Sequence, residues 1–176
     1  SGAWYHIVIR VDTTQGTSTN RVRIYINGEQ ETSFSSPSYP DQDYDVAYWN
    51  NTQAHRIGYF QDNSALYYDG YIAEFNNVGS SQAPTSFGET KNGVWIPLEY
   101  TGSYGGNGFR LKFDQVGVGT ASTSTIGADS SGKDTLRHWT STADTDVVAR
   151  DCAMPDSPEN NFATGLGGLS ESTNDQ

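Results

Sequence analysis

The sequence predicts an all-β protein, and three observations support that prediction. Short segments in which apolar and polar residues alternate recur along the chain, which is the pattern of half-buried strands. Turn-forming residues are dense, with 19 glycines among the 176 residues, and they separate the alternating segments. Only 34% of the residues are hydrophobic while 12% are aromatic, so we expect a small core built largely from aromatic rings.

The first two strands are predicted to form an antiparallel hairpin. Residues 4–12 and 21–27 both alternate, and a polar stretch separates them. We expect the apolar set to face inward: Tyr5, Ile7, Ile9, Val11, Val22, Ile24 and Ile26. The intervening residues, including Tyr25, are expected to face outward. Asn27-Gly28 supplies residues that tolerate positive φ, as a tight turn requires.

The later strands are expected to be shorter. Two are predicted at residues 54–60 and 67–78, and in the second of them Tyr71, Ala73 and Phe75 share one face. After Gly79, turn-forming residues become more frequent. A helical turn near 85–87 and short strands near 93–100 and 108–113 are predicted there. We therefore divide the chain into residues 1–79 and a Gly/Ser/Thr/Asp-rich extension over residues 80–176.

Charge and composition exclude several classes of function. The chain carries 21 acidic and 10 basic residues, a net charge of -11, which repels nucleic-acid phosphates and anionic membrane surfaces. No segment reaches the roughly 18 consecutive apolar residues of a membrane span. A single cysteine, Cys152, rules out an internal disulfide. We expect neither nucleic-acid binding nor membrane insertion.

The sequence offers little support for catalysis. Glycoside hydrolysis needs a pair of carboxylates, but Glu74 is the only acid set well within a predicted strand. A single glutamate in a strand is expected to be a solvated, outward-facing residue. His6, His55 and His138 are the only histidines, and no G-x-S-x-G nucleophile elbow accompanies them. We therefore expect a protein without enzymatic activity.

Two loop segments are candidate binding sites. Asp41, Asp43 and Asp45 present three hard oxygen ligands that suit Ca²⁺, although the Gly and Glu of an EF-hand loop are missing; the alternative is a solvated acidic loop. Just beyond them, aromatic rings stand beside amides that suit sugar stacking and hydroxyl recognition: Tyr48, Trp49, Asn50 and Asn51. The alternative role of Tyr48 and Trp49 is to cover a sheet edge or to pack on a neighbouring subunit.

The order of these segments resembles a known family. "WYHIVIRVD", "RVRIYINGE", "HRIGYF" and "DGYIAEF" are together similar to the second half of a concanavalin A-like, laminin-G-like jelly-roll β-sandwich. The continuation, with "PTSFGE", "GVWIPLEYTGSYGGNGF", "GADSSGKDTLRHWT" and "DSPENNFAT", resembles such proteins from tailed bacteriophages of aquatic bacteria. The general resemblance covers residues 4–78, and the narrower one reaches about residue 165.

The resemblance implies a structural role. It implies a partial antiparallel jelly roll whose N-terminal half is missing, so we expect a fragment of a longer polypeptide or a chain completed by another chain. It further implies a virion-surface protein (fibre, spike or capsid decoration) that forms a homo-oligomer, with a trimer as the common case, and contacts host glycans. Lectin-like jelly rolls often hold calcium, which adds to the interest of the Asp41 loop.

Two other functions stay open. One is a carbohydrate-binding module or glycoside hydrolase domain of a secreted protein. The other is an interaction module of the extracellular-matrix type, which is less favoured because such domains commonly carry a disulfide.

Overall fold

The computed structural model describes residues 3–46, 55–58, 68, 70–115, 117, 120–132 and 138. The strands in this part of the chain are β1 (Ile7–Val11), β2 (Val22–Ile26), β3 (Glu29–Glu31), β4 (Phe75–Asn77), β5 (Gly88–Lys91), β6 (Val94–Pro97) and β7 (Phe109–Leu111). All pairs among these strands are antiparallel, which confirms the all-β prediction. Among the described residues there is no α-helix, and hence no helix that could cross a membrane.

The chain divides into two compact units, each made from two stretches of sequence. The first comprises Ser1–Ile57 and Val78–Gly105, and the second comprises Gly58–Asn77 and Gly106–Gln176. The sheet β1-β2-β3 and the β5–β6 hairpin belong to the first unit, and the β4–β7 pair belongs to the second. The division of the chain at residue 79 stays a prediction.

β1 and β2 form the antiparallel hairpin that the alternation predicts. Their register places Ile7 opposite Ile26 and Ile9 opposite Ile24. Residues directly opposite one another in a ladder point to the same side of the sheet. The isoleucines of the two strands therefore share one face, as expected from the sequence.

A two-residue turn joins β2 to β3. Asn27 and Gly28 have φ angles of 49° and 83°, and Ile26 lies opposite Glu29. Positive φ at both central residues defines the turn type that matches the twist of a hairpin, and Asn-Gly is its preferred sequence. The Asn27 side-chain oxygen also accepts a hydrogen bond from the His6 backbone N–H at 2.9 Å. This bond ties the turn to the start of β1.

The β5–β6 hairpin turns in the same way. Asn92 and Gly93 occupy its tip with φ angles of 52° and 79°. A 3₁₀ turn at Pro84–Ser86 precedes it, close to the helical turn predicted near 85–87. The strand predicted within residues 93–100 is confirmed over Val94–Pro97.

Trp95 joins this hairpin to the three-stranded sheet. Its indole Nε1 donates to His6 Nδ1 at 2.9 Å, and the two rings stack with centroids 5.9 Å apart. The indole also lies directly against Gly28 and Gly88, and a Cβ atom on Gly88 would come 2.5 Å from it. Glycine is required at both positions because a side chain would displace the ring.

The face of the sheet that the chain covers is the opposite of the predicted one. Tyr25, expected to face outward, is only 8% exposed, whereas Ile7 and Ile9, expected to face inward, are 59% and 52% exposed. Tyr25 shares its face with His6, so the Trp95 contact covers that side. The prediction is wrong because alternation identifies the apolar face, while a contact between residues 89 apart in sequence determines which face is covered.

β4 and β7 pair in the second unit around a small buried core. Phe75 lies opposite Leu111, which is 1% exposed. The rings of Phe75 and Phe109 stack with centroids 5.8 Å apart. Ile126 and Ala128 are also buried. The strand predicted near 108–113 is thus confirmed over Phe109–Leu111.

Two of the predicted strands differ in the structure. Of the segment 54–60, residues 55–58 are described, and they form no strand. Of the segment 67–78, only Phe75–Asn77 is a strand, and Tyr71 is 54% exposed. The reason is visible at Glu74, whose φ of 55° lies in the left-handed region. An extended strand cannot continue through such a residue.

Gly88→Ala is expected to destabilise the protein because the added methyl group would overlap the Trp95 indole. Overpacking of this kind lowers the free energy of unfolding by about 1–3 kcal/mol. Gly16→Ala is the matched control, since no atom lies within 4 Å of the position a Cβ would take there. Urea denaturation followed by tryptophan fluorescence measures both variants. Equal midpoints would contradict a structural role for the Trp95 contact.

Candidate functional site

A contiguous apolar surface lies on β1 and β2. We call it the open face, and it consists of Tyr5, Ile7, Ile9, Ile24 and Ile26. Tyr5, Ile7, Ile9 and Ile26 are 62%, 59%, 52% and 37% exposed. Single exposed apolar residues are normal, but a contiguous apolar patch generally marks an interaction surface. Within the part of the chain that the structure describes, this surface is the strongest candidate site.

Two carboxylates border the open face along β3. The register places Glu29 opposite Ile26 and Glu31 opposite Ile24, so both acids lie on the same side of the sheet as the isoleucines. The Glu31 Oε1 atom accepts a hydrogen bond from the Ser33 N–H at 2.6 Å. A charged group is costly to bury without a partner. A molecule that covers the open face must therefore leave the β3 border in water or place a cation there.

A second candidate is a polar groove in the first unit. Its volume is about 380 Å³, and its lining residues are Gln82, Thr85, Ser86, Leu98, Glu99, Tyr100, Thr101 and Gly102. Tyr100 is only 7% exposed and stacks on Phe87 with centroids 4.9 Å apart. The lining hydroxyls and amide are suited to hydrogen bonding with a neutral hydroxylated ligand, and the Glu99 carboxylate disfavours an anion. The buried Tyr100 ring leaves little surface for sugar stacking.

The predicted calcium ligands lie in a loop fixed to the end of β1. The Asp43 N–H donates to the Thr13 carbonyl at 2.9 Å, and Asp43 has a φ of 57°. Asp41, Asp43 and Asp45 are all exposed. Among the described residues, no three His, Cys, Asp or Glu side chains are grouped so that they could hold an ion. Calcium binding stays a prediction without geometric support in this region.

The predicted sugar-binding residues lie outside the described part of the chain: Tyr48, Trp49, Asn50 and Asn51.

Two of the histidines make hydrogen bonds that have a structural role. His6 accepts the indole bond of Trp95, and His138 Nδ1 accepts the Asp129 N–H at 3.0 Å.

A charged network in the second unit was not expected from the sequence. Arg110, 7% exposed, donates from Nε to Glu74 Oε1 at 2.6 Å, and its guanidinium forms an ion pair with the same carboxylate. The Asp129 carboxylate accepts the backbone N–H groups of Arg110 and Ser131 at 3.0 and 2.9 Å. Glu74 was expected to be a solvated side chain. Its pairing with Arg110 spans 36 positions, a separation that local alternation cannot detect.

Asp12 ends β1 with a set of local hydrogen bonds. The Thr14 hydroxyl donates to its Oδ1 at 2.7 Å, and the Gln15 amide donates to its Oδ2 at 2.8 Å. These bonds favour the ionised carboxylate, so the Thr14 hydroxyl first and the Gln15 amide second lower the pKa of Asp12 below its ordinary value of 3.8. Asp12 therefore stays charged through the physiological range.

Comparisons with known protein families, with curated proteins and with solved structures found no match for this chain.

Glu74→Ala is expected to lower the free energy of unfolding by about 1–3 kcal/mol, because the buried Arg110 guanidinium loses a carboxylate acceptor. Glu89→Ala is the control, since Glu89 is an exposed acid on β5. Its effect should stay within about 0.5 kcal/mol. Thermal or urea unfolding measures the difference, and similar losses in the two variants would argue against the ion pair.

Thr14→Val is expected to raise the pKa of Asp12 toward 3.8 because the principal hydrogen bond that lowers this pKa is removed. A depressed pKa in the folded state contributes stability above the unfolded pKa, and this contribution is lost as pH falls through the folded value. NMR titration of the Asp12 carboxyl carbon measures the shift. Thr19→Val, at an exposed hydroxyl, should leave it unchanged, and an unaltered titration in Thr14→Val would disprove the assignment.

Proposed function

We propose that the protein is a non-enzymatic structural component of a bacteriophage virion, such as a fibre, a spike or a capsid-surface decoration. The observation that carries this proposal is the open face, where Ile7 and Ile9 are more than half exposed. An apolar surface of this kind is stabilised by burial in an assembly. A protein that acts within a particle has such a surface covered by its neighbours.

The arrangement of segments supports the same proposal. Residues 4–78 resemble the second half of a concanavalin A-like jelly roll, and the continuation to about residue 165 resembles proteins of tailed bacteriophages. In a β-sandwich, two sheets pack face to face through their apolar sides. The sheet β1-β2-β3 would supply part of one layer, and its open face would receive the other layer.

We further propose that the protein acts through many copies on the virion surface. Weak contacts with host glycans, repeated over one particle, give strong attachment without a tight individual site. The net charge of -11 favours solubility and keeps the surface from binding nucleic acid or membranes nonspecifically. The same proposal includes the binding of Ca²⁺ by the loop that contains Asp41, Asp43 and Asp45.

A second candidate function is a carbohydrate-binding module, alone or in a glycoside hydrolase of a secreted protein. The observation in its favour is the polar groove, whose hydroxyl and amide groups suit a neutral sugar. The first candidate is preferred because the groove has no exposed aromatic ring for stacking, while the open face needs a partner whatever the ligand.

If the chain is a virion component, it should be present at a fixed ratio to the major capsid protein in purified particles, measured by quantitative mass spectrometry. Ile7→Asp should reduce its incorporation several-fold, because a carboxylate on the open face opposes burial. Val94→Asp is the matched control, since Val94 is 62% exposed on β6, away from that face. Particles lacking the chain, together with glycan binding or polysaccharide cleavage by the purified monomer, would instead favour the second candidate.

A further inference from the structure

β1 has a free backbone edge. The Asn27 N–H donates to the His6 carbonyl and the Asp12 N–H donates to the Arg21 carbonyl, each at 2.8 Å. Because bonded pairs alternate along an antiparallel ladder, the even-numbered residues of β1 bond to β2. The odd-numbered residues direct their N–H and C=O groups to the other side. In the described part of the chain, no strand lies on that side.

The two edges of the sheet differ in their protection. β3 is three residues long and carries Glu29 and Glu31 on the open face, and short, charged edges resist the addition of another strand. β1 is five residues long, has no proline, and carries no charge on the open face. Its edge is therefore the one suited to pairing with a further strand.

The length of the free edge is defined by the structure. At its C-terminal end the Asp43 N–H bonds to the Thr13 carbonyl at 2.9 Å, so the Asp41–Asp43 loop occupies the position next to Thr13. The odd-numbered residues of β1 that stay available are Ile7, Ile9 and Val11. An added strand must satisfy these three residues.

We propose that the added strand is β1 of a second copy of this chain, paired antiparallel about a two-fold axis at Ile9. In this register Ile9 faces its own copy and Ile7 faces Val11, and each such pair exchanges two backbone hydrogen bonds. On the opposite side of the sheet, His6 faces Asp12 and Val8 faces Arg10. The odd-numbered residues of the segment are thus complementary to themselves in apolar character, with isoleucine or valine at every position of the free edge, which favours a second copy over an unrelated strand.

Neighbouring registers are less favourable. A two-fold axis at Arg10 would place two guanidinium groups opposite each other, and an axis at Val8 would place Val11 opposite Tyr5, which lies before β1 and outside the free edge. Like charges directly opposite one another destabilise a strand pair. The axis at Ile9 avoids both arrangements and uses every available residue of the free edge.

The pairing would join two three-stranded sheets into one six-stranded sheet and unite the two open faces. A two-fold axis closes the assembly at a dimer through this edge, in place of the trimer expected from the resemblance. This inference goes beyond the proposed function, since it concerns the isolated protein and holds whether or not the chain belongs to a virion.

The test uses the full chain carrying Cys152→Ser, so that an introduced cysteine is the only thiol. Two Cys residues at position 9 would lie about 5.5 Å apart between Cα atoms, whereas two at position 7 would lie ~14 Å apart. A bismaleimide whose reach falls between these distances should cross-link Ile9→Cys into dimers at least ten times more efficiently than Ile7→Cys. Equal yields at the two positions would overturn the register.

Sedimentation velocity of the unmodified protein gives a second measurement. We expect a concentration-dependent species of twice the 19.2 kDa chain mass. Ile9→Lys should raise the dissociation constant of the dimer at least tenfold, because it places two ammonium groups at the axis. Val94→Lys should leave this dissociation constant unchanged. A protein that stays monomeric at all concentrations, or a dimer indifferent to Ile9→Lys, would overturn the proposal. The composition of the virus particle is measured in a separate experiment, so failure of the proposed function can be distinguished from failure of the dimer proposal.

Discussion

The placement of Trp95 is the constraint on which the first unit depends. Its indole fits only because Gly28 and Gly88 lack side chains, and its N–H is satisfied by His6. Trp95 is half-buried, and an indole that packs against other groups usually finds a partner for its N–H, so the packing and this hydrogen bond together fix the position and orientation of the ring. The same contact selects the covered side of the sheet, as the burial of Tyr25 shows. The open face is the other consequence of that selection.

Local chemistry predicted the parts of the fold that depend on neighbours in sequence. The hairpin turn at Asn27-Gly28 and the alternation of β1 and β2 follow from short-range geometry. The segment 54–60 had a similar pattern but forms no strand over residues 55–58, so a short alternating pattern does not by itself establish a strand. The left-handed backbone at Glu74 has no sequence signal comparable to a glycine.

The sequence predicted which residues share the open face, but it did not predict that the chain leaves this face exposed. The sequence identified Ile7 and Ile9 as members of one apolar face and indicated that this face needs a mate. Which face the chain itself covers depends on Trp95, and the groove depends on two segments brought together by the β5–β6 hairpin. Such long-range pairings cannot be read from periodicity. The carboxylates of Glu29 and Glu31 border the open face along β3, so further apolar contact is favourable only on the β1 side of that face.

The separation of 89 residues between His6 and Trp95 also sets an order of events during biosynthesis. At the usual elongation rate of ~5–20 residues per second, the first hairpin leaves the ribosome several seconds before the tryptophan that covers it. Contacts between distant segments close slowly in any case. Throughout that interval both surfaces of β1 and β2 are open to solvent, so the nascent chain is most vulnerable to aggregation, and most in need of chaperone protection, before residue 95 has emerged.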